Sequence, residues 1–142
     1  MSKGNTFEND LLKLIYNATA IANIADDASS SPLTNLFVAL HTSDPGEAGD
    51  QTTNECTYTG YGRATVARTS GGWTVTANSV SPASTISFGA CTAGSETATH
   101  ASVGVAVSGA SKILHSGALS PTIAISDGVT PQISTSSTIT ED

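Results

Sequence analysis

The sequence predicts a mainly β protein, an antiparallel β-sandwich or jelly roll of about eight strands with one N-terminal α-helix. Three observations support this prediction. Short segments of alternating apolar and polar residues recur about every ten residues after residue 33. Turn residues separate these segments. The segments have no helical pattern between them, and because parallel strands need a long crossover, usually a helix, we expect antiparallel sheets.

The N-terminal segment has helical periodicity. Asn5 is a suitable N-cap, and Glu8, three residues later, completes a capping box. Lys13 interrupts the apolar run and acidic residues precede it, so a structural helix explains the segment better than a secretory signal. We therefore divide the chain into a helical arm and loop, residues 1–32, and a β-sandwich domain, residues 33–142. The apolar residues of the helix share one face: Phe7, Leu11, Leu14, Ile15 and Ala18.

The predicted strands follow the arm in order. Residues 36–42 form a short apolar run, which is typical of a strand buried on both faces. The clearest alternation comes at residues 73–78, with Trp73 leading the apolar face, and Gly71-Gly72 before it predicts a hairpin turn. The remaining strands are expected at residues 58–68, 86–90, 101–107, 112–116 and 122–126, and in a broken run at 132–140.

Charge and composition exclude several classes of function. The 142 residues include 12 acidic and 5 basic side chains, a net charge of -7. Phosphate neutralisation needs clustered Lys and Arg, so we expect no nucleic-acid partner. No apolar run approaches the roughly 20 residues of a membrane span, so we expect no membrane partner. Two cysteines are too few for a disulfide scaffold.

The exposed strand faces are predicted to carry hydroxyl groups rather than charges. Ser, Thr, Ala and Gly make up 73 of the 142 residues, and charged residues only 12%. Thr has high β propensity, which explains such faces without any function. Interface cores are also depleted in charge, so the same faces suit contacts between subunits. Composition alone leaves both interpretations open.

Few side chains could perform chemistry. His41 stands three residues before Asp44, a pairing that could form a base with an orienting carboxylate or two metal ligands, but no hydrolase, zinc or phosphate-binding motif accompanies it. We expect His41 to be a hydrogen-bonded structural residue. Asp44, Glu47 and Asp50 share one loop but lack the ligand order of an EF-hand. A solvated acidic loop is the better interpretation, with Asp44 accepting a hydrogen bond in an Asx turn.

The remaining candidates also favour a structural role. Cys56 and Cys91 could pair only if their strands are adjacent, and neither has a neighbouring base in sequence. Tyr58, Tyr61 and Trp73 could form a carbohydrate platform if exposed, but Trp73 is expected in the core. We expect no catalytic residue, no metal site and no cofactor, and therefore no enzyme.

Several segments resemble a family of small virion proteins of tailed phages, in particular the capsid cement (decoration) proteins of short-tailed phages. The segments are LFVALHTSDPGEAG at 36–49, NE at 54–55, YTGYGR at 58–63, GWTV at 72–75, ISFGAC at 86–91, TH at 99–100 and KILHSG at 112–117. The resemblance covers about residues 4–126. It implies a jelly-roll subunit that sits as a homotrimer on the outer surface of the head and binds the major capsid protein.

The resemblance leaves a second function open, because members of such families also carry tail-fibre labels. A tail or fibre component, or a glycan-binding module of the virion, is therefore the alternative. In either case the protein would be made in the host cytoplasm and built into the virion. The N-terminal helix is a natural arm for contacts with a neighbouring subunit or the capsid. The candidate contact residues are Phe7, Leu11, Leu14 and Ile15.

Overall fold

The computed structural model describes residues 5–21 and 32–141. In these ranges the chain forms one α-helix and nine short or medium strands. The predicted class, mainly β with one helix near the N-terminus and antiparallel sheets, is confirmed, and a jelly roll is compatible with it. The elements are α1 (Asn5–Asn17), β1 (Asn35–His41), β2 (Ala64–Ala67), β3 (Trp73–Thr76), β4 (Ser79–Pro82), β5 (Ile86–Ser87), β6 (Glu96–Gly104), β7 (Ile113–Ile125), β8 (Gln132–Ile133) and β9 (Ile139–Thr140).

The strands form three sheets. The largest has the order β2-β1-β6-β7, the second β3-β4-β9, and β5 pairs with β8. The β1–β6, β6–β7, β3–β4 and β4–β9 pairs are antiparallel. The chain divides into two compact units, one within residues 1–35, 67–86 and 133–142, the other formed by 36–66 and 87–132. The predicted boundary at residues 32/33 follows a segment outside the described residues and stays a prediction.

In the first unit, helix α1 packs on β3 through a face that carries Leu12 and Tyr16. Both side chains are fully buried, and the ring of Tyr16 meets that of Trp73 edge-on with centroids 4.8 Å apart. The Arg68 guanidinium donates hydrogen bonds to the carbonyl oxygens of Leu14 and Ile15. A cation at the C-terminal turn of a helix satisfies its free carbonyls and interacts favourably with its dipole.

The hairpin of the first unit differs from the predicted one. Gly71-Gly72 does lie in a turn, but the strand that follows, β3, does not pair with β2. It pairs instead with β4, in a register that places Thr76 opposite Ser79 and leaves a two-residue turn. Ala77 takes up the left-handed backbone conformation of that turn, with φ 52°. Sequence reasoning missed it because Ala-Asn lacks the glycine that usually marks such hairpins.

In the second unit, β1 lies between β2 and β6. Leu36, Val38, Ala39, Leu40 and His41 are all buried, as expected for the predicted strand at 36–42. An interior strand of a four-stranded sheet has neighbours on both edges, and here side chains on both of its faces are also covered. This arrangement explains the continuous apolar run.

Four predicted strands in the second half of the chain have different bounds in the structure. Residues 112–116 and 122–126 were expected to be separate, but one strand, β7, extends over Ile113–Ile125 with irregular register against β6. The predicted strand at 101–107 stops early, because β6 ends at Gly104 and the next residues form a loop. The predicted strand at 86–90 is shorter as well, since β5 contains only Ile86–Ser87. Alternation in sequence does not distinguish a strand from a well-anchored loop.

Candidate interaction surfaces and a buried polar network

The predicted contact residues of helix α1 lie outside the face that packs on β3. Phe7 is 42% exposed, and Leu11, Leu14 and Ile15 are half-buried. The helix therefore has a second apolar face besides that of Leu12 and Tyr16. Periodicity identified this second face and missed the packed one, because Tyr16 and the buried Glu8 do not look like a core stripe in sequence.

His41 anchors a directional chain of hydrogen bonds in the second unit. Its Nδ1 lies 2.8 Å from the carbonyl oxygen of Thr53, which can only accept, so Nδ1 carries the proton. Its Nε2 therefore accepts from the hydroxyl of Ser102, also at 2.8 Å. His41 is therefore hydrogen-bonded through both ring nitrogens, as expected. Asp44 does not orient it, because the Asp44 Oδ1 accepts from the backbone N–H of Gly46 at 2.8 Å, the predicted Asx turn.

The chain continues through Gln51, whose side chain is fully buried. Its Nε2 donates to the carbonyl oxygen of Phe37 at 2.9 Å and to Ser102 Oγ at 3.3 Å, while its Oε1 accepts from Ser111 Oγ at 2.6 Å. The amide fits only because residue 104 is glycine: a Cβ there would lie 2.2 Å from the Gln51 Cδ. The network thus joins β1, β6 and the loop that follows β6.

Arg63 forms the other end of the network. Its Nε and Nη2 hold the two carboxylate oxygens of Glu55 at 2.7 and 2.8 Å, a bidentate ion pair with little exposure. The remaining donors reach the carbonyl oxygens of Ala106 at 3.0 Å and Gly109 at 2.9 Å. Sequence reasoning did not identify Arg63, Gln51 or Ser111, because polar residues at scattered positions carry no spacing signal.

Burial lowers the pKa of His41, since the charged imidazolium would lose its hydration. The Thr53 carbonyl and the Glu55 carboxylate oppose this effect, whereas Arg63 and His100 add to it. The hydrogen-bond chain works in the same direction, because Nε2 has to stay unprotonated to accept from Ser102. The folded protein therefore holds His41 in its neutral form.

A pH dependence of stability follows from the neutral His41. Below about pH 6.5, the usual pKa of histidine, the unfolded chain takes up a proton that the folded chain does not. We expect the free energy of unfolding to fall as the pH is lowered from 7 to 5, measured by urea denaturation. The variant His41→Gln should reduce this slope. An unchanged slope in His41→Gln would contradict the assignment.

Glu96, at the start of β6, holds the segment before β2. Its carboxylate accepts from the backbone N–H and hydroxyl of Thr57 and from the backbone N–H of Tyr58, at 2.8 to 3.3 Å. Burial alone would raise the pKa of Glu96, but these hydrogen bonds hold it below its usual range. The same carboxylate adds to the effect of burial on Cys56, whose thiol has its pKa raised to about 12.

The two cysteines and two of the aromatic candidates are buried in the fold. Cys56 and Cys91 are both buried and free, so they do not pair. A thiol with a raised pKa is a poor nucleophile at neutral pH. Tyr58 and Trp73 are buried rather than exposed, and Tyr58 donates to the carbonyl oxygen of Gly89 at 2.9 Å. Trp73 lies in the core as predicted, and Tyr58 and Trp73 do not form the alternative, a glycan platform of exposed rings.

In the part of the chain that the structure describes, no group of three or more His, Cys, Asp or Glu side chains could hold a metal ion. Of the carboxylates in the acidic loop, Asp50 serves a turn: its Oδ1 accepts from the backbone N–H and the hydroxyl of Thr52. No helix within residues 5–21 and 32–141 is long and apolar enough to cross a membrane.

Comparison with known proteins agrees with the phage resemblance. No curated protein sequence matches the chain. The model of one protein family, described as podophage GP4 fiber I protein gp80, matches residues 4–140, which is nearly the whole chain and includes α1 and all nine strands to Thr140. This match supports a phage structural protein and suggests a place in the virion, without specifying which part. The chain belongs to the podophage GP4 fiber I protein gp80 family.

Proposed function

We propose that the chain is a non-catalytic capsid cement subunit, which binds the outer surface of the podophage head as a homotrimer and stabilises it. The observation that carries the structural part of this proposal is the family match over residues 4–140. The cement role rests on the resemblance of the sequence segments to decoration proteins. An outward-facing protein needs no basic surface, and the net charge of -7 fits that position. Several weak contacts per trimer would add through avidity.

The burial of Ser102 and His41 supports the proposal that the chain is not catalytic. Ser102 donates to His41 with the geometry of a nucleophile and its base, but both side chains are buried, at 2% and 0% exposure. Ser102 Oγ also accepts from Gln51, so the hydroxyl is bound on both sides. A substrate would have to open the four-stranded sheet to reach it. The pair therefore acts as part of the fold.

We propose the second apolar face of α1, carrying Phe7, Leu11, Leu14 and Ile15, as the contact with the major capsid protein. The helix end is fixed by Arg68, so the face is presented on a rigid element. Truncation of the arm would be a poor test, because it would also uncover Trp73. A surface substitution that leaves Leu12 and Tyr16 in place is better.

Phe7→Asp should weaken capsid attachment at least tenfold, because it places a charge in an apolar contact, while the melting temperature stays close to that of the unaltered protein. Binding can be measured by cosedimentation with heads that lack the protein. Thr6→Asp adds the same charge at an exposed neighbouring position of the helix and should bind normally. Equal binding of both variants would remove α1 from the attachment surface.

A second candidate function is a fibre component of the virion, favoured by the family description as a fiber I protein. A phage with an early stop codon in the gene for this chain distinguishes the two. If the chain is cement, the mutant adsorbs to its host normally but its heads lose DNA on heating or osmotic shock. If the chain is a fibre component, the heads remain stable and adsorption falls. Virions unaffected in both properties would refute the cement role.

A further inference from the structure

The loop between β6 and β7, residues 105–112, presents one large apolar side chain to solvent. Val107 is 59% exposed, more than any other large hydrophobic residue in the described ranges. Ser108, Gly109 and Ala110 after it are also exposed and small. Predicted as the end of a strand, Val107 instead stands at the tip of a hairpin.

The guanidinium of Arg63 binds the backbone on both sides of Val107. Arg63 Nη1 donates to the carbonyl oxygen of Ala106 at 3.0 Å, and Nη2 donates to that of Gly109 at 2.9 Å. Residue Ser111 adds two bonds to Gln51: its hydroxyl donates to the side chain at 2.6 Å, and its carbonyl accepts from the backbone N–H at 3.1 Å. The tip is therefore ordered before any partner arrives, which removes an entropic cost of binding.

Fixing this loop costs folding free energy. A buried ion pair such as Arg63–Glu55 is often no more stabilising than apolar side chains of the same volume, because both charges lose their hydration. The guanidinium instead gives the loop a single conformation. An exposed apolar side chain on such a rigid loop packs against a neighbour with little further loss of conformational freedom.

Charge indicates which neighbour fits. The whole chain carries a net charge of -7, so copies of it repel each other in general. Between Glu96 and Asp127, however, Lys112 is the only charged residue, so the β6–β7 hairpin is almost free of charge. Here two copies can approach with little like-charge repulsion. β7 is also an edge strand of its sheet, and Ser116, Gly117 and Ala118 along it are exposed.

We infer that the β6–β7 hairpin is the surface through which the chain associates with a second copy of itself, with Val107 as the apolar anchor. This inference rests on the proposed function in one respect, since it names the contact of the proposed homotrimer. In a ring of three copies each contact joins two different patches, so the Val107 tip of one copy meets the exposed edge of β7 in the next. The α1 face is left for the capsid.

Light scattering coupled to size-exclusion chromatography of the full chain tests the inference. We expect the unaltered protein to elute with the mass of several chains and Val107→Asp with the mass of one. Val107→Ser, which removes the anchor without adding charge, should lower the association constant at least tenfold. Thr138→Asp, an equal charge at an exposed site outside the hairpin, should leave the mass unchanged.

Each outcome has one interpretation. A monomeric unaltered protein, or an unchanged mass for Val107→Asp, would overturn the inference. If Val107→Asp keeps its mass but no longer binds heads that lack the protein, the loop contacts another virion protein and the second-copy assignment is wrong. The proposed cement function is tested by a different result: it is wrong if the unaltered protein does not bind virions at all. Circular dichroism of each variant confirms that the fold is retained.

Discussion

Arg63→Ala should lower the free energy of unfolding by about 3–5 kcal/mol, the usual effect of removing one partner of a buried ion pair. The variant leaves the Glu55 carboxylate without its bidentate partner and the carbonyl oxygens of Ala106 and Gly109 without their donor. Urea denaturation followed by circular dichroism, which reports on the strands of both units, measures the change. Lys112→Ala, a cation removed from the exposed surface, should change stability by less than about 0.5 kcal/mol.

The double variant Arg63→Ala with Glu55→Ala measures the interaction energy between these two side chains apart from their other contacts. Because both single variants break the same contact, the double variant should lose clearly less than the sum of the two. If Arg63→Ala lowered the free energy of unfolding no more than Lys112→Ala does, Arg63 would not hold the loop at 105–112 in place. Hydrogen exchange gives a second measurement. If the amides at 106–110 are protected equally in Arg63→Ala and in the unaltered protein, Arg63 does not order the loop.

Trp73→Ala should be similarly destabilising, by about 3–5 kcal/mol, because it opens a cavity beside Tyr16 in the first unit. Trp73→Phe is the matched control and should lose only about 1 kcal/mol. It keeps most of the apolar ring, and it removes an indole Nε1–H that is buried without a hydrogen-bond partner among the described residues. Thermal or urea unfolding of the two variants measures both losses. A near-neutral Trp73→Ala would mean that the ring is exposed and free for a binding role.

Local sequence patterns predicted the elements whose burial follows a regular period along the chain. The buried run of β1 and the alternation of β3 each follow from the side on which neighbours lie, whereas the spacing of α1 predicted the helix but not the face that packs on β3. The loop after β6 could not be found in this way, because Val105 and Val107 alternate as in a strand. Its conformation depends on Arg63, which is 43 positions from Ala106 in sequence. The polar network depends equally on long-range contacts such as Ser111 with Gln51, 60 positions apart.

Of the two candidate contact surfaces, only the apolar face of α1 could be predicted from the sequence. Phe7, Leu11, Leu14 and Ile15 were identified by spacing, and the structure leaves this face at least partly exposed. The hydroxyl-rich composition left subunit contacts and simple β propensity equally open, and it pointed to no particular face. The β6–β7 hairpin emerges as a candidate when three facts are combined: its lack of charge, its edge strand and its ordered tip. The last two require the fold.

A cryo-electron microscopy map of the virion, at a resolution that traces single chains, tests the central proposal most directly. We expect copies of this fold in clusters of three on the outer surface of the head, with α1 against the major capsid protein and the β6–β7 hairpin between copies. A map that places the chain only in fibres would contradict the cement role. A map of the complete virion without any copy of the chain would contradict the structural role altogether.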